Sequence, residues 1–274
     1  MIEAQHRIFN FAIACVSRVL ILRDWVFGWV VRNRSGDPAL GSVSRQSIPS
    51  GSKTLDAVLV TPAPGGARAS VLLCHGIGET VEHWLGVQRL LAAHGVASLV
   101  FDYSGYGRSP GPFSAGQAEQ DAVCAFRHLQ GLTAPLPVCL LGFSLGSGIA
   151  VAIVQKVPAH RLILGAAFTS LRKAAVSTGV PSAFAFTVPD IWDADSALRA
   201  CTIPVLIVHG ERDQLFPVSM AKELQSLCGP NAELVVVPKV AHNQPFRRPE
   251  LSYWGEMIDW LLPGKGDQPT IPDH

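Results

Sequence analysis

The sequence predicts an α/β protein: a mostly parallel, doubly wound sheet of about eight strands, with a small lid and an extra N-terminal helix. Three observations carry this expectation. From Ser70 onward, short apolar runs alternate with helix-like segments long enough to be crossovers. Two earlier β-like stretches have no helix between them, so they should pair antiparallel at one edge. The chain has 274 residues and no internal repeat, enough for a single domain with a two-sided core.

The first element is the N-terminal one. Residues 8–31 are strongly apolar, but Arg18, Arg23 and Asp24 cut them into runs too short to span a bilayer comfortably. Ala12 and Ala14 are weak candidates for a cleavage site, so no convincing signal peptide is present. Helical projection puts His6, Asn10, Ala14, Ser17, Asp24 and Gly28 on one narrow polar stripe. Residues 1–34 thus read as an apolar helix. It packs on the domain, meets another protomer or lies on a membrane surface, and is expected to localise or shield the protein while contributing nothing to the chemistry.

Residues 35–262 form the main domain. Its first β-stretches are 42–48 and 55–60. Further strands are expected over 71–74, 97–103, 138–141, 162–167, 205–209 and 233–237. Helices are expected over 81–94, 114–130, 145–157, 218–227 and 249–262. The excursion 168–198 is too short for an independent cap domain and reads as a lid with an apolar lining. The polar tail 263–274, rich in proline and glycine, is expected to fray.

Composition excludes several classes. A net charge of +1 and a pI near 7.7, with basic residues scattered, argue against nucleic-acid binding. Charged residues are only 16% of the chain and mean hydropathy is +0.28. That suits a buried parallel sheet and equally a protein that handles apolar substrates. Six dispersed cysteines without a C-x-x-C pair point to neither zinc nor a disulfide framework. A reducing, cytoplasmic setting is the expectation, with peripheral membrane attachment through residues 8–31 open. No metal or cofactor is expected.

In an open α/β sheet, ligands bind at the carboxyl ends of the strands. The residues just past each strand are therefore informative. Gly142-Phe143-Ser144-Leu145-Gly146 comes after one apolar run and opens a helix-like run, the context a nucleophilic serine needs. Gly107-Arg108-Ser109-Pro110-Gly111 has the same spacing. It comes after a polar loop, however, and its prolines prevent an immediate helix, so Ser109 reads as a loop residue. Serine needs a base, and the base needs an orienting acid. Asp213 and His242 each stand a few residues past a strand end. Asp190, Asp193 and Asp195 have no strand before them and suit caps or surface positions, and Glu211 is worse placed than Asp213. His83, His94, His128 and His160 read as exposed helix histidines, and His209 as a locally bonded one. After another strand, His75-Gly76-Ile77-Gly78 could aim the Ile77 amide at the same point as the Leu145 amide, forming an oxyanion hole.

Together, HGIG at 75–78, DYSGYGRSPG at 102–111, GFSLG at 142–146, HGERD at 209–213 and VAHN at 240–243 resemble the α/β-hydrolase superfamily. The pattern is similar to its serine-aminopeptidase-like (S33-like) and ABHD-type branch and covers about residues 53–262. The resemblance implies the α/β-hydrolase fold and a serine hydrolase with Ser144 as nucleophile, His242 as base and Asp213 behind it. It would cleave a carboxylic ester or thioester of a small-molecule or lipid-like substrate through an acyl-enzyme. A peptidase or amidase of the same fold is the alternative, and a non-catalytic binding protein a further one. Trp84, Phe113, Phe168, Phe184 and Phe186 are expected to line the substrate pocket. Glu79-Thr80 beside the oxyanion turn departs from the usual pattern, and Glu79 is expected to cap the following helix.

Overall fold

A computed structural model describes residues 5, 7–10, 12, 13 and 41–262 of the chain. Most of the N-terminal helix expected over 1–34, and the tail 263–274, lie outside the described residues. The first two strands, β1 (Ser42–Ser50) and β2 (Lys53–Thr61), form an antiparallel hairpin in which Ser50 faces Lys53. Gly51 makes that turn with φ +58°, where a side chain would be strained. The remaining strands are β3 (Ala69–Cys74), β4 (Val96–Phe101), β5 (Val138–Phe143), β6 (Leu162–Gly165), β7 (Val205–Gly210) and β8 (Ala232–Val237). They complete one eight-stranded sheet in the order β1-β2-β4-β3-β5-β6-β7-β8, with every pair from β4 to β8 parallel. The expected edge hairpin joins it through antiparallel β2–β4 pairing.

The central strands are apolar at nearly every position because helices cover both faces. Alternate residues of β3 divide between two cores: Leu72 and Cys74 join one, Val71 and Leu73 the other. The first core is roofed by α2 (Ala115–Thr133), α3 (Leu145–Ile153), α5 (Ala194–Arg199) and α6 (Val218–Cys228). The second is roofed by α1 (Val81–Ala93), the short α7 (Gln244–Arg247) and α8 (Leu251–Leu261). Helix α3 ends at Ile153, short of the expected 157, where Pro158 restricts the residue before it.

Between β6 and β7 the excursion holds a short α4 (Leu171–Ser177), a 3-10 turn at Ser182–Thr187, and α5. Local capping accounts for both helices. Ser170 Oγ accepts from the Lys173 amide, and Asp193 accepts from the Asp195 amide. Periodicity over such short helices is too brief to register in the sequence. His83 also departs from expectation. It is buried, and its Nδ1 accepts from the Thr80 amide to close the first turn of α1.

Candidate active site

Ser144 sits between β5 and α3 with φ +52° and ψ −120°, a conformation a non-glycine residue rarely adopts. Its amide donates to Gly165 O on β6 at 3.0 Å, and this pins the turn. Close approach explains the flanking glycines. A Cβ at Gly146 would lie 1.9 Å from Cys74 O, and one at Gly142 would lie 2.4 Å from Gly146 O. The serine hydroxyl is thereby presented at the carboxyl edge of the sheet, at the N-terminus of a helix.

Two loops bring His242 and Asp213 to it. His242 Nδ1 lies 2.7 Å from Asp213 Oδ2, and His242 Nε2 lies 2.9 Å from Ser144 Oγ. Burial raises the Asp213 pKa, but the His242 hydrogen bond and charge, with the Phe216 amide, outweigh it and hold the carboxyl below its usual range. An ionised Asp213 can only accept, so Nδ1 donates to it and Nε2 is left to accept from the serine hydroxyl. The other Asp213 oxygen takes the Leu215 and Phe216 amides at 2.9 Å each, which fixes the carboxylate. His209 donates from Nε2 to Phe216 O at 3.0 Å, and burial lowers its pKa, so it is a neutral prop beneath Asp213. Phe216 also meets the His242 ring edge-on at 5.2 Å.

The competing groups are engaged elsewhere. Ser109 is 5% exposed, donates to Asp102 O and accepts from the Asp56 amide, so it ties a loop to the sheet. Glu211 takes the Lys239 amide at 2.9 Å and braces the loop that carries His242. Asp190 pairs with Arg172, and Asp195 with Arg199. Glu79 is not the expected helix cap: Thr80 occupies that position, and the Glu79 carboxylate turns back to accept from the Gly76 amide at 2.8 Å and the Trp84 indole at 2.8 Å. Among the described residues no three His, Cys, Asp or Glu side chains gather as a metal site.

An apolar cavity of about 290 Å³ opens at Ser144 and includes Ile77, Leu145 and Phe168 in its lining. Leu145 is the first residue of α3, so its amide has no acceptor within the helix. Four expected lining residues lie elsewhere. Trp84 is fully buried in the second core, on the other side of the sheet, against Phe143, Phe246 and Trp254. Phe113 turns inward onto Tyr103 and Tyr106. Phe184 and Phe186 stand on the 3-10 turn, 57% and 65% exposed, because the turn projects beyond the first core. Leu171, Val188 and Phe216 line the cavity instead, and so do Phe9 and Ile13. The described N-terminal residues thus pack on the domain beside Ser144. A second cavity of about 470 Å³ is lined by His242 together with Gln244, Arg247, Arg248 and neighbouring residues.

A family model described as serine aminopeptidase, S33 (Hydrolase_4) matches residues 65–192, which carry Ile77 and Ser144 but end before Asp213. An uncharacterized protein of Mycobacterium tuberculosis is 29% identical over 185 residues, covering 66% of this chain and 65% of that one. Lysophosphatidylserine lipase ABHD12 of Danio rerio is 28% identical over 184 residues, covering 60% of this chain and 48% of that one. The chain thus spans from just under half to just under two thirds of the length of these relatives. Among solved structures, the Pyrococcus furiosus esterase Pf2001 superposes with TM-score 0.68 at 18% identity, over 85% of this chain and 95% of that one. Est1E from Butyrivibrio proteoclasticus, with ferulic acid bound, gives 0.65 at 20% identity, over 78% and 96%.

The chain has the α/β-hydrolase fold. In sequence it is similar to the S33-like and ABHD-type branch of the α/β-hydrolase superfamily. Among the described residues no helix of the chain is long and apolar enough to cross a membrane.

Proposed function

We propose that this hydrolase cleaves carboxylic esters or thioesters through an acyl-enzyme on Ser144. The observation that carries the reading is the hydrogen-bonded chain Ser144–His242–Asp213 opening onto an apolar cavity. His242 Nε2 takes the hydroxyl proton as Ser144 Oγ attacks the acyl carbon, and Asp213 stabilises the resulting imidazolium. The Ile77 and Leu145 amides receive the oxyanion. Collapse expels the alcohol or thiol, which takes its proton from His242. Water then attacks the acyl-enzyme by the same route in reverse, releasing the acid and restoring Ser144.

The two cavities suggest a division of the substrate. An apolar acyl chain fits the cavity at Ser144, Leu145 and Phe168. The departing alcohol, which His242 must protonate, fits the second cavity beside it, where Arg247 and Arg248 favour an anionic group. The Danio rerio relative is a lysophosphatidylserine lipase, which is consistent with such a substrate. Attachment to a lipid surface completes the reading, through the exposed Phe184 and Phe186. The test is labelling by a fluorophosphonate, which needs an activated serine, followed by a panel of p-nitrophenyl esters beside a thioester and an aminoacyl amide. Absence of labelling would favour a non-catalytic binding protein. Faster cleavage of the amide than of every ester would favour a peptidase.

A further inference from the structure

Residues 5, 7–10, 12 and 13 are helical, and Phe9 and Ile13, one turn apart, share a face. Both line the cavity that contains Ser144. Ile8 lies off that face and is 69% exposed. Contacts of its described residues with the 3-10 turn and Trp192 hold the segment there. The Phe9 ring meets Trp192 edge-on at 6.2 Å and 80°, and Gln5 Nε2 donates to Phe186 O at 2.9 Å. Trp192 is itself fixed. It is 6% exposed, its indole donates to Glu119 Oε1 on α2 at 3.1 Å, and its side chain abuts Gly148 of α3. The N-terminal segment is therefore keyed, through one tryptophan, to the helix that begins at the nucleophile.

We propose that Phe9 and Ile13 form a wall of the acyl cavity and set the length of acyl chain the enzyme accepts. This rests on the esterase reading of Ser144. The physical basis is size discrimination in a dry apolar pocket, where one methylene more or fewer changes kcat/KM by about tenfold or more. This wall comes from a segment that is part of neither the sheet nor the loops carrying Asp213 and His242. Changing its side chains therefore alters the room beside Ser144 without altering the sheet or either catalytic loop.

The experiment compares p-nitrophenyl butanoate with the dodecanoate, on the full chain, as a ratio of kcat/KM. Phe9→Ala should raise the long-to-short ratio by about tenfold, and Ile13→Trp should lower it by a similar factor. Ile8→Ala, on the exposed side, should leave the ratio where the wild type has it. Inactivation by short- and long-chain alkyl fluorophosphonates should follow the same ratios without turnover. If either variant loses its cooperative melt, Phe9→Leu and Ile13→Phe take its place, with smaller shifts in the same directions. Ratios equal to wild type in folded Phe9 and Ile13 variants would overturn the wall, as would an equal shift in Ile8→Ala. Should the wild type react with no phosphonate, the esterase reading falls. Dodecanoate binding by calorimetry then decides the wall, which requires weaker binding in Ile13→Trp than in wild type.

Discussion

The Gly76 amide donates to the Glu79 carboxylate at 2.8 Å, and the same carboxylate oxygen accepts the Trp84 indole proton. A buried acid thus anchors the turn that carries Ile77 to a tryptophan in the opposite core. It touches no reacting atom, so it is a positioning residue. Glu79→Ala removes the tether and leaves Gly76 N and the indole without their partner. We expect kcat to fall by up to about 100-fold, the scale of one lost oxyanion donor, with KM little changed. Glu79→Gln keeps an acceptor oxygen and should recover much of the loss. A uniform rise in KM for both variants would argue for a merely structural role.

Ser144→Ala and Ser109→Ala should separate cleanly. The first abolishes fluorophosphonate labelling and ester turnover, and Tm stays near wild type because the hydroxyl bonds only His242 among the described contacts. The second keeps activity but loses about 1–3 kcal/mol of stability, since its hydroxyl serves two hydrogen bonds in a buried setting. An active Ser144 variant beside a dead Ser109 variant would reverse the assignment.

His75 and Asp102 make a pH prediction. Burial raises the Asp102 carboxyl to about 7 and lowers the His75 imidazole to about 3, and the two stand 3.7 Å apart. Between roughly pH 4 and 6.5 the folded pair holds one proton, on Asp102. The unfolded pair also holds one, on the histidine. The counts match, so the pair adds little slope to stability in this window. Asp102→Asn leaves a folded state with no proton against an unfolded state with one, so stability should fall as pH drops through about 6.5. His75→Gln leaves a protonated folded Asp102 against an ionised unfolded one, so stability should fall as pH rises from about 4 towards 7. Urea midpoints across this range check both, and slopes of the same sign would refute the assignment.

Much of this was legible in the sequence, for identifiable reasons. Strands buried on both faces read as continuous apolar runs, so β3 to β7 could be located from hydrophobicity alone. The Ser144 turn was legible because a strand, a glycine-flanked serine and a helix are contiguous there. The pocket was not. Trp84 and Phe113 looked like lining residues by proximity to motifs, but which side of a sheet a ring faces depends on helix phase and packing partners. Phe216, which touches His242, lies three residues past Asp213, and that closeness to the acid was the one local signal available. Phe9 and Ile13 reach the site across more than 130 positions of chain, and such a contact leaves no local pattern.

Arg248 is exposed at the second cavity beside His242, where a leaving alcohol would stand. Arg248→Ala should lower kcat/KM for an ester of a phosphorylated alcohol by up to about fivefold, the scale of one exposed ion pair. The neutral glycerol ester should be affected less. Added salt should shrink the difference between the two substrates in the wild type, because exposed charges are screened. Equal losses on both esters would mean that the arginine does not read charge.

Phe184 and Phe186 are more than half exposed on the 3-10 turn, and Val180 and Val188, on either side of that turn, line the acyl cavity. Two exposed rings beside the mouth of an apolar cavity are costly in water and favourable at a lipid interface, at roughly 25 cal/mol per Å² of apolar surface buried. A lipid-like substrate could then pass from the surface to Ser144 without crossing bulk water. With a net charge of +1, attachment should depend little on anionic lipid. The full chain should co-sediment with phosphatidylcholine vesicles, and Phe184→Ser with Phe186→Ser should weaken that partition by about tenfold. Turnover of a vesicle-borne ester should fall in parallel, whereas turnover of a water-soluble acetate ester should be retained. Equal co-sedimentation of the variant and the wild type would place any lipid contact away from this turn.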